Sequence, residues 1–386
     1  MGKERTHCSL ETRVVHGSQG FDPTTGAVSF PIYQTATFRH PGVGKSTGYD
    51  YSRQENPTRN ELEETIAALE SGTSGFAFST GMAAISAVLD LFAAGDRILY
   101  SEDLYGGTYR MADTIGRSHG LEFSLVDTCS IAAVEAEWTP ATKALVIESP
   151  SNPMSRVSDI EALSKFAHAR GALAVVDNTF LTPLLQRPIE LGADIVIHSA
   201  TKFLSGHNDT LAGFAVCSDR SLADRLFAVQ KTTGAVLAPF DSWLVLRGIK
   251  TLALRIRRQE ESAQVIAAWL RTRPEVSAVY YTGLADHPQR ELSERQASGF
   301  GSMITFRLRD PVMIAPILER VRVVTYAESL GGVESLITYP ILQTHASTPK
   351  ELRDKLGIDE SLLRLSVGIE AVADIIEDLK QAFEKR

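Results

Sequence analysis

The chain is poor in cysteine: three in 386 residues, Cys8, Cys129 and Cys217. The count is odd, the three lie far apart and no C-x-x-C occurs. A disulfide framework and a thiolate metal site are therefore excluded as expectations, and a reducing, cytoplasmic setting fits. Basic excess is also missing. With 39 Lys+Arg against 47 Asp+Glu the formal net charge is −8, which argues against general binding to nucleic acid. No apolar run reaches the length of a membrane span; the longest candidate, AAISAVLDLFAAG, is broken by Asp90. The opening MGKERTHCSL has no apolar stretch of the secretory kind. It does match the loose myristoylation pattern M-G-x-x-x-T, which is short and degenerate and has no other support along the chain. Neither a Walker loop nor a dinucleotide-binding G-x-G-x-x-G is present, and there is no internal repeat or low-complexity segment.

What is present suits two domains. Residues 1–60 are rich in Gly, Thr, Pro and Ser and show little periodicity, so they are expected to form an extended arm that packs on something else, a partner subunit being the natural candidate. Residues 61–245 form the expected large domain. NELEETIAALES reads as an amphipathic helix with acidic residues in its first turn. FAF, RILY, EFSLV, ALVIES, LAVVD, DIVIHS and FAVCS then read as strands, separated by the helical stretches MAAISAVLDLFAA, YRMADTIGRS, DIEALSKFAHAR and PLLQRPIEL. That alternation predicts an α/β fold with a mainly parallel sheet covered on both faces. From Pro239 the alternation stops. FDSWLVLRGIKTLALRIRRQEESAQVIAAWLRTR predicts one long helix, ended by Pro274, that leads into a smaller α+β C-terminal domain, residues 246–386. Strands are expected there at VSAVYY, SMITFRL and LLRLSVG, and a last helix at VADIIEDLKQAFEK.

The densest cluster of reactive side chains is HSATKFLSGH, His198 to His207, which follows VVDNTF, Val175 to Phe180. It puts Asp177, Ser199, Thr201 and Lys202 at or just past the carboxyl ends of two buried strands, where open α/β sheets bind ligands. A lysine amine beside hydroxyls, with a carboxylate from the neighbouring strand, fits an enzyme that holds pyridoxal phosphate. The lysine would make the Schiff base, the hydroxyls meet the phosphate, and the carboxylate pair with the pyridinium nitrogen. Alone, the segment also reads as a surface loop after a strand.

Four further segments carry candidates, each with a plainer alternative. In GFAFSTGMAAI the turn from Ser79 to Met82 opens a helix whose start could cradle a phosphate, although ordinary strand-to-helix turns use the same residues. Tyr105 in DLYGGTYR could stack on a flat ring or pack at a domain edge. Asn152 in ESPSNP could donate to a phenolate oxygen or serve only the turn. Tyr51 and Arg53 in GYDYSRQENPTR could bind a phosphate or lie in a solvated loop. Arg364 in LLRLSVGIE is a cation inside an apolar strand, costly unless paired; a substrate carboxylate or an internal acid would answer for it.

Together YDYSRQENPTR, STGM, YGGTYR, ESPSNP, VVDNTF, HSATKFLSGHND, AESLGGVESL and LLRLSVGIE resemble the cystathionine synthase and lyase family of pyridoxal-phosphate enzymes, in the family's order and over nearly the whole chain. The resemblance implies pyridoxal 5'-phosphate as cofactor and the aspartate-aminotransferase-like fold. It implies small amino-acid substrates, a cytoplasmic place in cysteine and methionine metabolism, and a homotetramer built as a dimer of dimers with sites at the tight dimer interface. Lys202 matches the cofactor-bearing lysine, Asp177 the partner of the ring nitrogen, Tyr105 the stacking tyrosine and Asn152 the partner of the ring oxygen. Gly81, Met82, Ser199 and Thr201 match the phosphate cup, and Tyr51 and Arg53 the residues lent by a neighbouring subunit. Arg364 matches the arginine for the substrate carboxylate, with Ser329 and Asn152 nearby. Glu328, Arg110 and Asp50 match positions of the distal substrate pocket.

The implied mechanism has the freed Lys202 remove the α-proton while Asp177 stabilises the protonated ring that accepts the electrons. Gly107, where methionine γ-lyases usually carry cysteine, and Glu328, where they carry an apolar residue, count against methionine as main substrate. RHPGVGKSTGYDY, GHNDTLAGF, APFDSWLVLRG and ITYPILQTH look most like the γ-synthase branch, while Gln54 departs from the Ser or Thr often found after the arm arginine. The expected reaction is γ-replacement on an O-acylhomoserine by cysteine to give cystathionine. The alternative is a cystathionine γ- or β-lyase. A pyridoxal-phosphate carrier or regulator without turnover is the remaining class, against which the full set Lys202, Asp177, Tyr105 and Arg364 stands.

Overall fold

The computed structural model describes residues 8–384; the myristoylation pattern at Met1 to Thr6 lies outside the described residues. The arm holds one short helix, α1 (Leu10–His16), whose Val14 is buried in the large core. Helix α2 (Pro57–Leu69) begins three residues earlier than expected. The Asn56 side chain accepts the Thr58 N–H at 3.0 Å, and Pro57 sits where a helix needs no amide. The acidic residues expected in the first turn lie one turn further in.

The chain then runs through β1 (Ser74–Phe78), α3 (Gly81–Leu89), β2 (Arg97–Ser101), α4 (Gly106–Met111), β3 (Glu122–Val126), α5 (Ile131–Glu137), β4 (Thr142–Glu148), α6 (Ile160–His168), β5 (Leu173–Asp177), α7 (Thr182–Leu185), β6 (Ile195–Ser199), β7 (Gly213–Cys217) and α8 (Arg220–Thr233). The seven strands form one sheet in the order β1-β7-β6-β5-β4-β2-β3. The pairs β2–β3, β2–β4, β4–β5 and β5–β6 are parallel; β7 runs antiparallel to β6 and β1. Ala174, Val175, Val176, Ile195 and Val196 are fully buried, as strands covered on both faces must be. The register aligns Glu148 with Asp177 and Asp177 with Ile197, so β4 and β5 end at one level and β6 runs two residues further, to Ser199.

The long helix expected over 240–273 is two, α9 (Pro239–Ile249) and α10 (Leu252–Arg271). Thr251 leaves helical geometry (φ −106°, ψ 6°). The carbonyl of Gly248, which a continuing helix would need, is taken by the Thr251 hydroxyl at 3.2 Å and the Arg255 guanidinium at 2.9 Å. Apolar spacing runs on across the break, which is why the sequence reads as one helix. Helix α8 was not expected, yet Asp219 caps its start through the Leu222 N–H at 3.1 Å and Gly234 ends it at φ +74°. Those two signals would have located it.

Then follow β8 (Val276–Tyr280), α11 (Arg290–Gln296), β9 (Met303–Leu308), α12 (Ile314–Arg320), β10 (Thr325–Tyr326), β11 (Leu336–Thr338), α13 (Lys350–Leu356), β12 (Leu362–Ser366) and α14 (Val372–Phe383). Their sheet, β10-β11-β12-β9-β8, is antiparallel except for β10–β11. Helix α10 serves both cores: Leu252 and Ile256 pack with the large sheet, Ala263, Ile266 and Leu270 with the small one.

Gly213 on β7 decides how closely the α3 turn can approach the sheet. A Cβ there would lie 2.1 Å from the Thr80 carbonyl oxygen and 2.7 Å from Gly81 Cα. Gly213→Ala is expected to lower stability by about 1–3 kcal/mol, the range for overpacking a tight contact. The denaturant midpoint checks this; an unchanged midpoint would mean the turn moves aside freely.

Candidate active site

A cavity of about 440 Å³ opens over the carboxyl ends of β4, β5 and β6 and is closed on the far side by Arg364 of β12. Lys202 lies three residues beyond β6 in a compact turn. Its own N–H donates to the Ser199 carbonyl at 3.2 Å, and its carbonyl accepts from the Gly206 N–H at 2.8 Å. The amine donates to the Ser329 hydroxyl at 2.8 Å. Burial pushes this amine down to about 8; the Arg364 charge adds to the fall and Glu328 opposes it.

Arg364 is 2% exposed. It donates to Asn152 Oδ1 at 2.9 Å, the Ser329 carbonyl at 3.1 Å and Thr338 Oγ1 at 3.2 Å, and its buried Nε has no partner. Burial brings it down to about 10, against the pull of Glu328 and other negative groups. Its partners are neutral acceptors, and no carboxylate among the described residues forms an ion pair with it. Ser329, which touches both cations, sits at φ +134°, a strained conformation for a residue with a Cβ.

Asp177 is held at the end of β5 by the Thr179 N–H at 3.0 Å and hydroxyl at 2.6 Å. Burial raises its pKa and those two bonds oppose the rise. Tyr105 follows β2 and lines the cavity just ahead of α4. A Cβ at Gly107 would come 2.3 Å from its ring, so a larger residue there displaces the tyrosine. At the start of α3, Thr80 caps through the Ala83 N–H at 3.0 Å, and the first-turn amides of Gly81 and Met82 have no partner within the helix. Gly81 packs on the lysine strand: a Cβ would lie 2.9 Å from that of Ser199. Thr201 also lines the cavity, with its hydroxyl tied to the Ala212 N–H at 3.0 Å. Glu328 stands exposed at the rim.

Lys202, Asp177, Tyr105, Asn152, Gly81, Met82, Ser199, Thr201, Ser329, Glu328 and Arg364 are thus brought together in one chain. Tyr51, Arg53, Asp50 and Arg110 are not. Arg53 donates to the Lys231 carbonyl and lies 5.6 Å from the Tyr51 ring centroid, Asp50 accepts from Ser46, and Arg110 reaches Ser347 at 3.3 Å. The sequence reading missed Glu148, Thr179, Thr338 and His345. ESPSNP puts Glu148 at a strand end, but nothing in the sequence tells which way its carboxylate turns.

The donor set fits pyridoxal phosphate. A partly buried amine faces the cavity, the carboxylates of Asp177 and Glu148 lie on its floor, and a guanidinium keeps a nitrogen unpartnered. The α3 cradle, which a Cβ at Gly81 would fill, offers amides and hydroxyls to a phosphate. Lys202 would hold the cofactor, Asp177 its ring nitrogen, and Gly81, Met82, Ser199 and Thr201 its phosphate.

A family model described as Cys/Met metabolism PLP-dependent enzyme matches residues 11–384. The chain is similar to the cystathionine beta-lyase of Lactococcus lactis subsp. cremoris, 52% identical over 98% of this chain and 100% of that protein. It is also similar to the cystathionine gamma-synthase of Haemophilus influenzae, 47% identical over 97% of this chain and 98% of that one. Among solved structures, the cystathionine gamma-lyase from Lactobacillus plantarum complexed with L-serine superposes with a TM-score of 0.95 at 44% identity, covering 97% of this chain and 98% of that chain.

An amine reacts with electrophiles only in its neutral form, and Lys202 is brought down to about 8. In protein stripped of cofactor, labelling of Lys202 by an amine-directed reagent should therefore rise with pH, with a midpoint near 8, and level off above it, while exposed lysines climb on toward about 10.4. Peptide mass mapping across pH reads this site by site. A Lys202 profile that tracks the exposed lysines would show that its burial does not act on the amine.

Proposed function

We propose that this chain, which belongs to the Cys/Met metabolism PLP-dependent enzyme family, cleaves cystathionine by elimination. The observation that carries the reading is the meeting of Lys202, Arg364 and Glu328 in one cavity: a base, a carboxylate holder and a distal anion. The kinship with proteins named cystathionine beta-lyase and gamma-lyase favours cleavage. A second reading, γ-replacement on an O-acylhomoserine by cysteine, is favoured by the relative named cystathionine gamma-synthase.

When bound, pyridoxal phosphate supplies an electron sink for the bond broken at the substrate's α-carbon. Arg364 binds the α-carboxylate in a two-pronged contact, which supplies the anion its buried charge lacks. Lys202 removes the α-proton and can deliver it to a neighbouring atom. Ser329 holds the amine at 2.8 Å and so aims it. Asp177 would pair with the ring nitrogen, Tyr105 would pack against the ring, and Asn152 would offer its amide to the ring oxygen. Glu328 meets the far ammonium of cystathionine, or that of incoming cysteine. Elimination at the β-carbon asks Lys202 to take only the α-proton; γ-elimination and γ-replacement both ask it to move a second proton, from the β-carbon.

Incubation with cystathionine alone tests the reading, and ammonia, a keto acid and a thiol amino acid are the expected products, the thiol carrying the sulfur that leaves. Cystathionine formed from O-acylhomoserine and cysteine, with no cleavage, would reverse the two readings. Because Glu328 is exposed, Glu328→Ala should cost about 0.2–1 kcal/mol in kcat/KM for cystathionine, with methionine affected less. Equal losses for both would make Glu328 a structural residue.

Among the described residues, the cavity is lined by two cations, Lys202 and Arg364, and its phosphate end by amides and hydroxyls. Arg53 and Tyr51 therefore complete the site of a neighbouring subunit, in a cytoplasmic homotetramer. Mixed Lys202→Ala and Arg53→Ala chains, each inactive alone, should regain activity through hybrid pairs. No recovery after proven subunit exchange would place Arg53 outside any site.

A further inference from the structure

Strand β4 ends on a partly buried carboxylate for which the chemistry above has no use. The two oxygens of Glu148 accept two backbone N–H groups, that of Tyr105 at 2.9 Å and that of Asn152 at 3.0 Å. These come from different segments, one after β2 and one after β4. Burial raises the pKa of Glu148, and the charge of Asp177 raises it further; the two N–H bonds oppose that shift.

A second buried group meets the same two segments from the other polarity. His345, 1% exposed, lies in the stretch between β11 and α13. Its Nε2 is 3.1 Å from the Asn152 carbonyl, and the Leu104 carbonyl also faces the ring. A carbonyl only accepts, so Nε2 carries the proton, and Nδ1 accepts from the Thr344 hydroxyl at 2.8 Å. Burial, helped by the Arg364 charge, pushes the imidazole down to about 4, which keeps it neutral. The same stretch presses on the Tyr105 turn: a Cβ at Gly106 would lie 2.4 Å from the Thr344 carbonyl oxygen.

The pattern is reciprocal. The Leu104 carbonyl and the Tyr105 N–H belong to one peptide group, facing His345 on one side and Glu148 on the other. Asn152 gives its N–H to Glu148 and its carbonyl to His345. We propose that Glu148 and His345 are a pair of positioning residues that clamp the backbone of Tyr105 and Asn152 from both sides, and so set the plane and reach of the two side chains that meet the cofactor ring. This rests on the reading of Tyr105 and Asn152 given above.

The clamp predicts a change in the cofactor's surroundings and not only in stability. Glu148→Gln keeps one accepting oxygen but turns an NH₂ toward the other N–H. His345→Leu removes the donor, whereas His345→Gln retains an N–H. Each protein, with Tyr105→Ala and Asn152→Ala beside it, is stripped of cofactor and titrated with pyridoxal phosphate. The dissociation constant and the visible circular dichroism per bound cofactor are read, with far-ultraviolet dichroism as the measure of fold. Glu148→Gln and His345→Leu should each weaken binding about tenfold, the upper scale of one lost hydrogen bond, and shrink the induced signal. His345→Gln should stay near the parent. The double variant should lose less than the product of the singles, since both hold the same two peptides.

Tight binding and a full signal in Glu148→Gln and His345→Leu, while Tyr105→Ala and Asn152→Ala alter both, would overturn the clamp and leave the ring contacts standing. If Tyr105→Ala and Asn152→Ala themselves change nothing, the ring contacts fall and the clamp with them. Should Glu148→Gln not fold, His345→Leu against His345→Gln decides alone, and equal behaviour of that pair overturns the proposal.

Discussion

Arg364 is a guanidinium sunk in an apolar strand with no ion-pair partner among the described residues, and much of the cavity is arranged around that fact. A buried charge is costly without partners. Here the partners are three neutral oxygens from three parts of the chain: Asn152 beyond β4, Ser329 ahead of β11, and Thr338 within β11. Bringing the Ser329 carbonyl into line leaves that residue at φ +134°, a conformation that costs about 1–3 kcal/mol. The same strained serine offers its hydroxyl to Lys202. One residue thus fixes the distance between the carboxylate holder and the base.

The opposite charge lies across the cavity. Asp177 and Glu148 end adjacent strands at the same level, and burial raises the pKa of both. They too are answered by neutral donors, Thr179 for one and two backbone amides for the other. Without ligand the site is a cationic wall and a floor of carboxyl groups, each satisfied by dipoles. A cationic ring over Asp177 and a carboxylate on Arg364 would turn both halves into ion pairs at once, in surroundings where such pairs are strong. Lys202 stands between them with its amine brought down to about 8. The cost of the buried Arg364 charge is therefore part of what makes the neighbouring amine a base.

The parts of this arrangement that were legible in the sequence are those that depend on strand ends. Strands buried on both faces appear as continuous apolar runs, so LAVVD and DIVIHS gave the ends of β5 and β6, and with them Asp177 and Lys202. Arg364 was legible because a cation breaks an apolar run. Contacts made by the backbone were not legible. Glu148 and His345 act on peptide groups, which every residue has, so no side-chain pattern marks their partners. Strands β10 and β11, of two and three residues, are too short for any period to show. The break between α9 and α10 is a side-chain capture of the Gly248 carbonyl by Thr251 and Arg255, invisible where apolar spacing continues.

Arg255 shows how the lysine turn is kept in place from behind. It is a second buried guanidinium without an acid, donating to the carbonyls of Phe203 at 2.7 Å and Gly248 at 2.9 Å. The first follows Lys202 directly; the second closes α9. A Cβ at Gly206 would lie 2.0 Å from this guanidinium, and one at Gly248 would lie 2.2 Å from the Ser205 carbonyl oxygen. The turn, the end of α9 and the start of α10 are therefore one packed unit. Because α10 continues into the smaller core, the base in the large sheet and the arginine in the small one are referenced to a common helix. A site whose cation and base come from different sheets keeps its geometry only if the sheets cannot move independently, and the charge-assisted bonds of Arg255 supply that coupling at the point nearest the chemistry.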